Sequence, residues 1–266
     1  PVLTFETNSL GTLNLLDCLR DQPSVIAAIF ITSDKCYENV EWLWGYREND
    51  RLGGKDPYSA SKACAELITK VYMESFFKEK GPSIATTRAG NVIGGGDWAL
   101  DRVVPDCVRA WSKGEKVEIR NPNATRPWQH VLEPLSGYLA LGQKLFEGNP
   151  ELKNQSFNFG PQAKVNQSVG DLITEMAQYL PGAEWEFEQE INSDKPESTL
   201  LKLNCDKALQ LLQWNSVLDF SETVQMTGKW YQAFYSQNLS SILEITSRQI
   251  DEYTKLAIQS NLVWTQ

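Results

Sequence analysis

Histidine is almost missing from this chain of 266 residues: His130 is the only one. Histidine-rich metal sites are thereby excluded, no metal is expected, and a Ser-His-Asp hydrolase would have to rest on His130 alone. No G-x-S-x-G nucleophile motif accompanies it, so His130 reads as structural. The cysteines, at 18, 36, 64, 107 and 205, form no C-x-x-C pair. Such a scattered, odd set argues against a disulfide framework or a zinc site and for a reducing compartment, the cytoplasm. The longest apolar runs, such as residues 25–31, are far too short to cross a bilayer. Nothing signal-like opens the chain, so no membrane role is expected. Also lacking is any G-x-G-x-x-G that follows a strand and opens a helix; the Gly94-Gly95-Gly96 triplet has the wrong spacing. A dinucleotide site normally uses such a loop to bring the pyrophosphate to a helix N-terminus.

Positive charge is in short supply. The net charge is −9, from 25 basic and 34 acidic residues, which disfavours a nucleic-acid partner. An anionic ligand would need local cations, and Arg88, Arg102, Arg120 and Arg126 are the candidates.

What is present is an alternation of strands and helices. Residues 4–20 have helical spacing, with leucines at 13, 15, 16 and 19. Residues 25–31 read as a buried strand, 36–57 as a loop, and Pro57 suits the first turn of a helix running toward Phe77. A strand is expected over 83–87. Further helical patterns cover 103–111, 135–145, 169–180, 207–212 and 221–235, and short strands are expected at 117–119, 156–159 and 185–187. Residues 239–262 read as a helix docked on its own domain, and Trp42 and Trp44 as loop packing. This order predicts an α/β fold with a parallel sheet.

The chemistry-bearing feature is Tyr58-Ser-Ala-Ser-Lys62 at the start of a helix, preceded by Ser33-Asp34-Lys35 at the end of a strand. Residues four apart share a helix face, so the Tyr58 hydroxyl and the Lys62 ammonium can act together. A phenol titrates near ~10 in water, and a neighbouring cation favours the phenolate. Tyr58 is then a general base for an alcohol hydroxyl, as in nicotinamide-dependent oxidoreductases. Three plainer readings stand beside this one: Asp34 and Lys35 as a solvated ion pair, Arg126 paired with a carboxylate such as Glu133, and Arg120 as sheet-edge charge.

Several motifs in order resemble the extended short-chain dehydrogenase/reductase family, and within it the nucleotide-sugar 4,6-dehydratases. They are Asn8-Ser-Leu-Gly11-Thr12, Thr32-Ser33-Asp34-Lys35, the 36–65 stretch, Arg88-Ala-Gly-Asn91 through Asp97-Trp98, Arg126-Pro-Trp128-Gln-His130, and the 200–208 segment with Gln213-Trp214. The likeness is greatest to the CDP-glucose branch, where Lys35 stands in place of the glutamate of the dTDP-glucose enzymes. Relative to the family, roughly the first third, with the glycine loop and the strands around it, is missing.

The resemblance implies a Rossmann-like doubly wound parallel sheet, lacking its N-terminal strands and glycine loop, with a smaller C-terminal α/β substrate-binding region. Residues 1–93 would be the remainder of the NAD-binding domain. Residues 94–266 would mainly bind substrate, with 125–160 returning to the Rossmann domain. It implies catalysis by Ser33, Asp34, Lys35, Tyr58 and Lys62, and NAD contacts from Asn8, Thr32, Tyr58 and Lys62. The nucleotide-sugar substrate would meet Asn91, Arg102, Arg120 and Arg126, the last on the diphosphate, where a planar guanidinium can hold two oxygens. A homodimer is expected. Two alternatives remain: a non-catalytic remnant that binds nucleotide sugar, and a related 4-epimerase. The Ser-Asp-Lys cluster argues against the epimerase, which needs no chemistry at C5 or C6. An unpaired edge is also expected on the 25–31 strand.

Overall fold

The computed structural model describes residues 1–162, 165–187, 200–236 and 240–265. In chain order the first elements are α1 (Val2–Phe5), α2 (Gly11–Arg20), β1 (Ala27–Ile31), α3 (Pro57–Ser75), β2 (Ser83–Ala89) and β3 (Val92–Ile93). Next come α4 (Val103–Trp111), β4 (Val117–Ile119), β5 (Thr125–Arg126), β6 (Gln129–His130), α5 (Leu132–Phe146) and β7 (Gln155–Phe159). The last are β8 (Gln167–Ser168), α6 (Val169–Ala177), β9 (Trp185–Phe187), α7 (Asp206–Leu212), α8 (Phe220–Tyr235) and α9 (Ser240–Gln259). They fall into two compact units. The first holds residues 1–90, 134–160 and 201–215, and the second holds 91–133, 161–200 and 216–266.

The first unit is built on a parallel sheet of order β1-β2-β7. Its register runs from Ala27 opposite Ser83 to Ile31 opposite Thr87, and from Ala85 opposite Gln155 to Ala89 opposite Phe159. Parallel strands need crossover helices that bury the sheet face. Here Leu16 and Leu19 of α2 and Met73 of α3 close over Phe30 and Ile84. Among the described residues β1 has a strand partner on one side alone, as expected for the 25–31 strand. Helix α3 starts where the sequence says it should. Pro57 occupies its first turn, and the Asp56 carboxylate accepts the Ser59 N–H at 3.0 Å.

One expectation needs correction. Residues 4–20 are not an uninterrupted α-helix, because a π turn, Glu6–Leu10, lies between α1 and α2. In that turn Asn8 and Ser9 bond to Ser61 of α3, with Asn8 Nδ2 2.9 Å from Ser61 Oγ. Single π turns of this kind are often found at functional sites.

The second unit packs α4, α6 and α8 around Val108, Trp111, Leu172, Ile173, Val224 and Tyr231. Three two-stranded pieces (β3-β6, β4-β9 and β5-β8) border this core. The helix expected over 239–262 is α9, residue 239 lying outside the described residues. Gln249 Nε2 donates to the Met226 carbonyl of α8 at 2.7 Å, so α9 docks within its own unit. Among the described residues no helix is long and apolar enough to cross a membrane.

Candidate active site

Five candidate catalytic residues lie in the first unit, on two segments. The first is the turn leaving β1. Ser33 is extended, and its Oγ accepts the Lys35 N–H at 3.2 Å, capping a short 3-10 turn over Asp34–Cys36. The same hydroxyl donates to Asp34 Oδ1 at 3.0 Å. Asp34 is 3% exposed, so it is not half of a solvated ion pair. Its carboxylate lies against the α-carbon of Gly90, where any side chain would overlap it.

The second segment is the first turns of α3. Tyr58 is 47% exposed, with Lys62 half-buried one turn on. Desolvation lowers the Lys62 pKa, opposed by the nearby Cys36 and Glu66. The Ser61 hydroxyl donates to the Tyr58 carbonyl at 2.7 Å. The two segments also meet electrostatically at Asp56. Desolvation raises its pKa, but the bonds from Ser59 and the Tyr58 N–H, with a smaller contribution from the Lys35 charge, hold it below the usual carboxylate range.

Asn8 and Thr32 lie in the same unit. Thr32 donates toward Glu66 and the Thr87 carbonyl. Of the arginines proposed to meet an anion, Arg88 is corrected. It is 2% exposed and bidentate on Glu66, Nε–Oε1 at 2.9 Å and Nη2–Oε2 at 2.7 Å, so it is unavailable to a ligand.

The substrate candidates all lie in the second unit. Asn91 adopts a left-handed backbone, φ +54°, which asparagine tolerates better than most residues, and its carbonyl accepts the Gln129 N–H. Arg102 pairs with Asp97 at 2.9 Å. Arg126 Nη1 donates to the Thr125 carbonyl at 2.9 Å. Arg120 lines a cavity of about 290 Å³ with Val103, Cys107, Ile119 and Asn121, while Asp101 and Asp106 add negative charge. Glu133 accepts N–H bonds from Val217 and Leu218 and the Tyr253 hydroxyl. His130 is buried, its Nδ1 accepts the Leu132 N–H, and burial pushes its pKa down to about 4. Among the described residues no cluster of metal-ligating side chains occurs.

A parallel sheet flanked by a tyrosine–lysine helix defines a Rossmann-type α/β protein. The sequence profile described as GDP-mannose 4,6 dehydratase matches residues 1–227. CDP-glucose 4,6-dehydratase of Salmonella typhimurium is 41% identical over 259 residues, which cover 95% of this chain and 71% of that protein. dTDP-glucose 4,6-dehydratase of Streptomyces antibioticus is 25% identical over 87% of this chain and 65% of its own length. Among solved structures, dTDP-glucose 4,6-dehydratase from Bacillus anthracis, in complex with NAD, matches with a TM-score of 0.71. Its identity is 19%, over 88% of this chain and 70% of that one, a likeness of fold. The chain belongs to the GDP-mannose 4,6 dehydratase family, the nucleotide-sugar dehydratases of the short-chain dehydrogenase/reductase group.

Proposed function

We propose that this chain is a CDP-glucose 4,6-dehydratase, converting CDP-D-glucose to CDP-4-keto-6-deoxy-D-glucose. The observation that carries the reading is the 41% identity to that enzyme over 95% of this chain. The Ser33-Asp34-Lys35 turn and the Tyr58-Lys62 pair support it by lying in one compact unit.

The residues fit the nicotinamide end of NAD: an exposed phenol with a half-buried ammonium one turn on can meet a ribose and a reacting hydroxyl. The 266 residues contain no G-x-G-x-x-G fingerprint for the pyrophosphate. NAD, when bound, supplies a hydride acceptor at C4 and a donor at C6, and ends unchanged.

Tyr58, helped by Lys62, takes the C4 hydroxyl proton. Ser33, turned away from Asp34, donates a hydrogen bond to the same oxygen. The 4-keto group acidifies the C5 proton, and Lys35 receives it. Asp34 in its protonated form delivers a proton to the departing C6 hydroxyl. Asn91, Arg102 and Arg120 are the candidates for binding the nucleotide sugar, with Arg126 on the diphosphate. A homodimer working in the cytoplasm completes the reading.

The test is conversion of CDP-glucose with added NAD, followed by the absorbance of the 4-keto product in alkali. dTDP-glucose and a Tyr58→Phe variant run alongside. Turnover with CDP-glucose that Tyr58→Phe abolishes supports the reading. A folded chain with no turnover would instead mark a nucleotide-sugar-binding remnant, and a 4-epimer product an epimerase.

A further inference from the structure

Beneath the two catalytic segments lies a buried ion pair with no part in the proton transfers. Glu66 and Arg88 have side chains 2% and 3% exposed, respectively. Isolated charges at that depth cost several kcal/mol each, by order of magnitude. They persist here because each Glu66 oxygen accepts two hydrogen bonds and four of the five Arg88 N–H donors are used. Besides Arg88, Glu66 accepts the hydroxyls of Thr32 and Thr86. Arg88 Nη1 donates to Tyr37 Oη at 2.7 Å and to the Glu48 carbonyl at 2.9 Å, and Tyr37 in turn donates to Asn158.

The connectivity has a pattern. Thr32 is the residue before Ser33-Asp34-Lys35, and Tyr37 comes two residues after Lys35. The turn is therefore fastened at both ends to one ion pair. Glu66 itself lies on α3, one helical turn beyond Lys62 and two beyond Tyr58. Arg88 belongs to β2, which pairs with β1 up to Ile31 opposite Thr87. One side-chain pair thus links the turn, the base helix and strand β2.

We propose that Glu66–Arg88 is a positioning pair that sets the Ser33-Asp34-Lys35 turn against the Tyr58-Lys62 helix. This rests on the dehydratase reading for its catalytic consequence, not for its geometry. Small errors in such placement cost rate steeply.

Three variants of the full chain test it: Tyr37→Phe, Thr32→Val and Thr32→Ser. Tyr37→Phe loosens one end of the turn and Thr32→Val the other, while Thr32→Ser keeps the hydroxyl. The first readout is amide hydrogen exchange, which needs no turnover. The amides of Lys35, Cys36 and Tyr37 are bonded within the turn and report on it. We expect exchange there to quicken roughly tenfold in Tyr37→Phe and Thr32→Val, with β2 unchanged and Thr32→Ser like the parent. The second readout is turnover of CDP-glucose by Tyr37→Phe, where kcat should drop about tenfold with KM unmoved. Unchanged exchange at the turn, or exchange raised evenly through the unit, would overturn the proposal, as would unaltered kcat beside a loosened turn. If exchange responds as expected while the parent turns over no nucleotide sugar, the positioning stands and the dehydratase reading fails.

Discussion

Gly90 lies against Asp34 so closely that a methyl group on its α-carbon would overlap the Asp34 carboxylate. The catalytic acid of the proposed mechanism therefore depends on a residue having no side chain. Gly90→Ala should displace Asp34, cost about 1–3 kcal/mol of stability by overpacking, and remove most turnover. Urea unfolding and a rate assay check this. A variant as active as the parent would show that Asp34 can move without consequence.

Tyr58 is half-exposed and holds little packing, so its hydroxyl can be removed cleanly. Tyr58→Phe is expected to lower kcat roughly 10²–10⁴-fold, the range for a lost general base, with the melting temperature nearly unchanged. A large fall in melting temperature would mean that the phenol is a structural group.

The pair below the site gives a stability prediction of its own. Arg88→Met leaves the Glu66 carboxylate buried and uncompensated, at a cost of about 3–5 kcal/mol. Arg88→Met with Glu66→Leu should recover most of that, because no charge is then left in the interior. Equal instability of the single and double variants would refute the electrostatic account. Despite burial, Arg88 and the Thr32 and Thr86 hydroxyls hold the Glu66 pKa below the usual carboxylate range. The stability Glu66 contributes is thus present above its unfolded value and lost as pH falls through the lower, folded one.

In the second unit, His130 and Glu133 oppose one another. Burial lowers His130 from 6.5 to about 4, so between those values the unfolded chain binds the proton and stability falls as pH falls. Burial raises Glu133 from 4.5 to about 7, against the pull of its Leu218, Tyr253 and Val217 bonds. There the folded chain keeps the proton, and stability falls as pH rises from 4.5 to about 7. Each shift corresponds to roughly 3 kcal/mol, with opposite signs. Relative to the parent, His130→Gln should become less stable toward neutrality, and Glu133→Gln less stable toward acid. Urea midpoints from pH 4.5 to 7 measure both slopes, and identical slopes in the two variants would contradict the assignment.

Arg120 lines the second unit's cavity and lies apart in sequence from the catalytic turn and helix. Arg120→Ala should raise the KM for CDP-glucose about tenfold while leaving kcat near its parent value, the mark of a group that binds ground and transition states alike. Steady-state kinetics decide it, and a kcat effect alone would move Arg120 into the chemistry.

Elements with a strong local signal were legible. The helix Val103–Trp111 and the strands Val117–Ile119 and Trp185–Phe187 match their sequence patterns to the residue. Asp56 and Pro57 announce α3 through capping chemistry that is local by nature. The two-residue strands β3, β5, β6 and β8 are too short to show an alternation, and pairing alone makes them. Within the site, Tyr58-Lys62 was readable because a helix brings its own residues together. The roles of Gly90 and of Glu66 with Arg88 were not readable, since they arise only when α3, β2 and the turn after β1 are brought together by the fold. Arg88, one of several surface-type cations in the sequence, was misread for that reason.

The π turn at Glu6–Leu10 gives the first helical rod a joint. One surplus residue in a helix turns the stretch before it by about 100° relative to the stretch after it. Val2 and Leu3 are left exposed, while Leu16 and Leu19 are buried. The two halves of the rod are thereby steered separately. Residues 2–5 could be redesigned for another neighbour without re-aiming 11–20, whereas deleting one residue from the joint would swing the leading half round its axis and unhook Asn8 from Ser61.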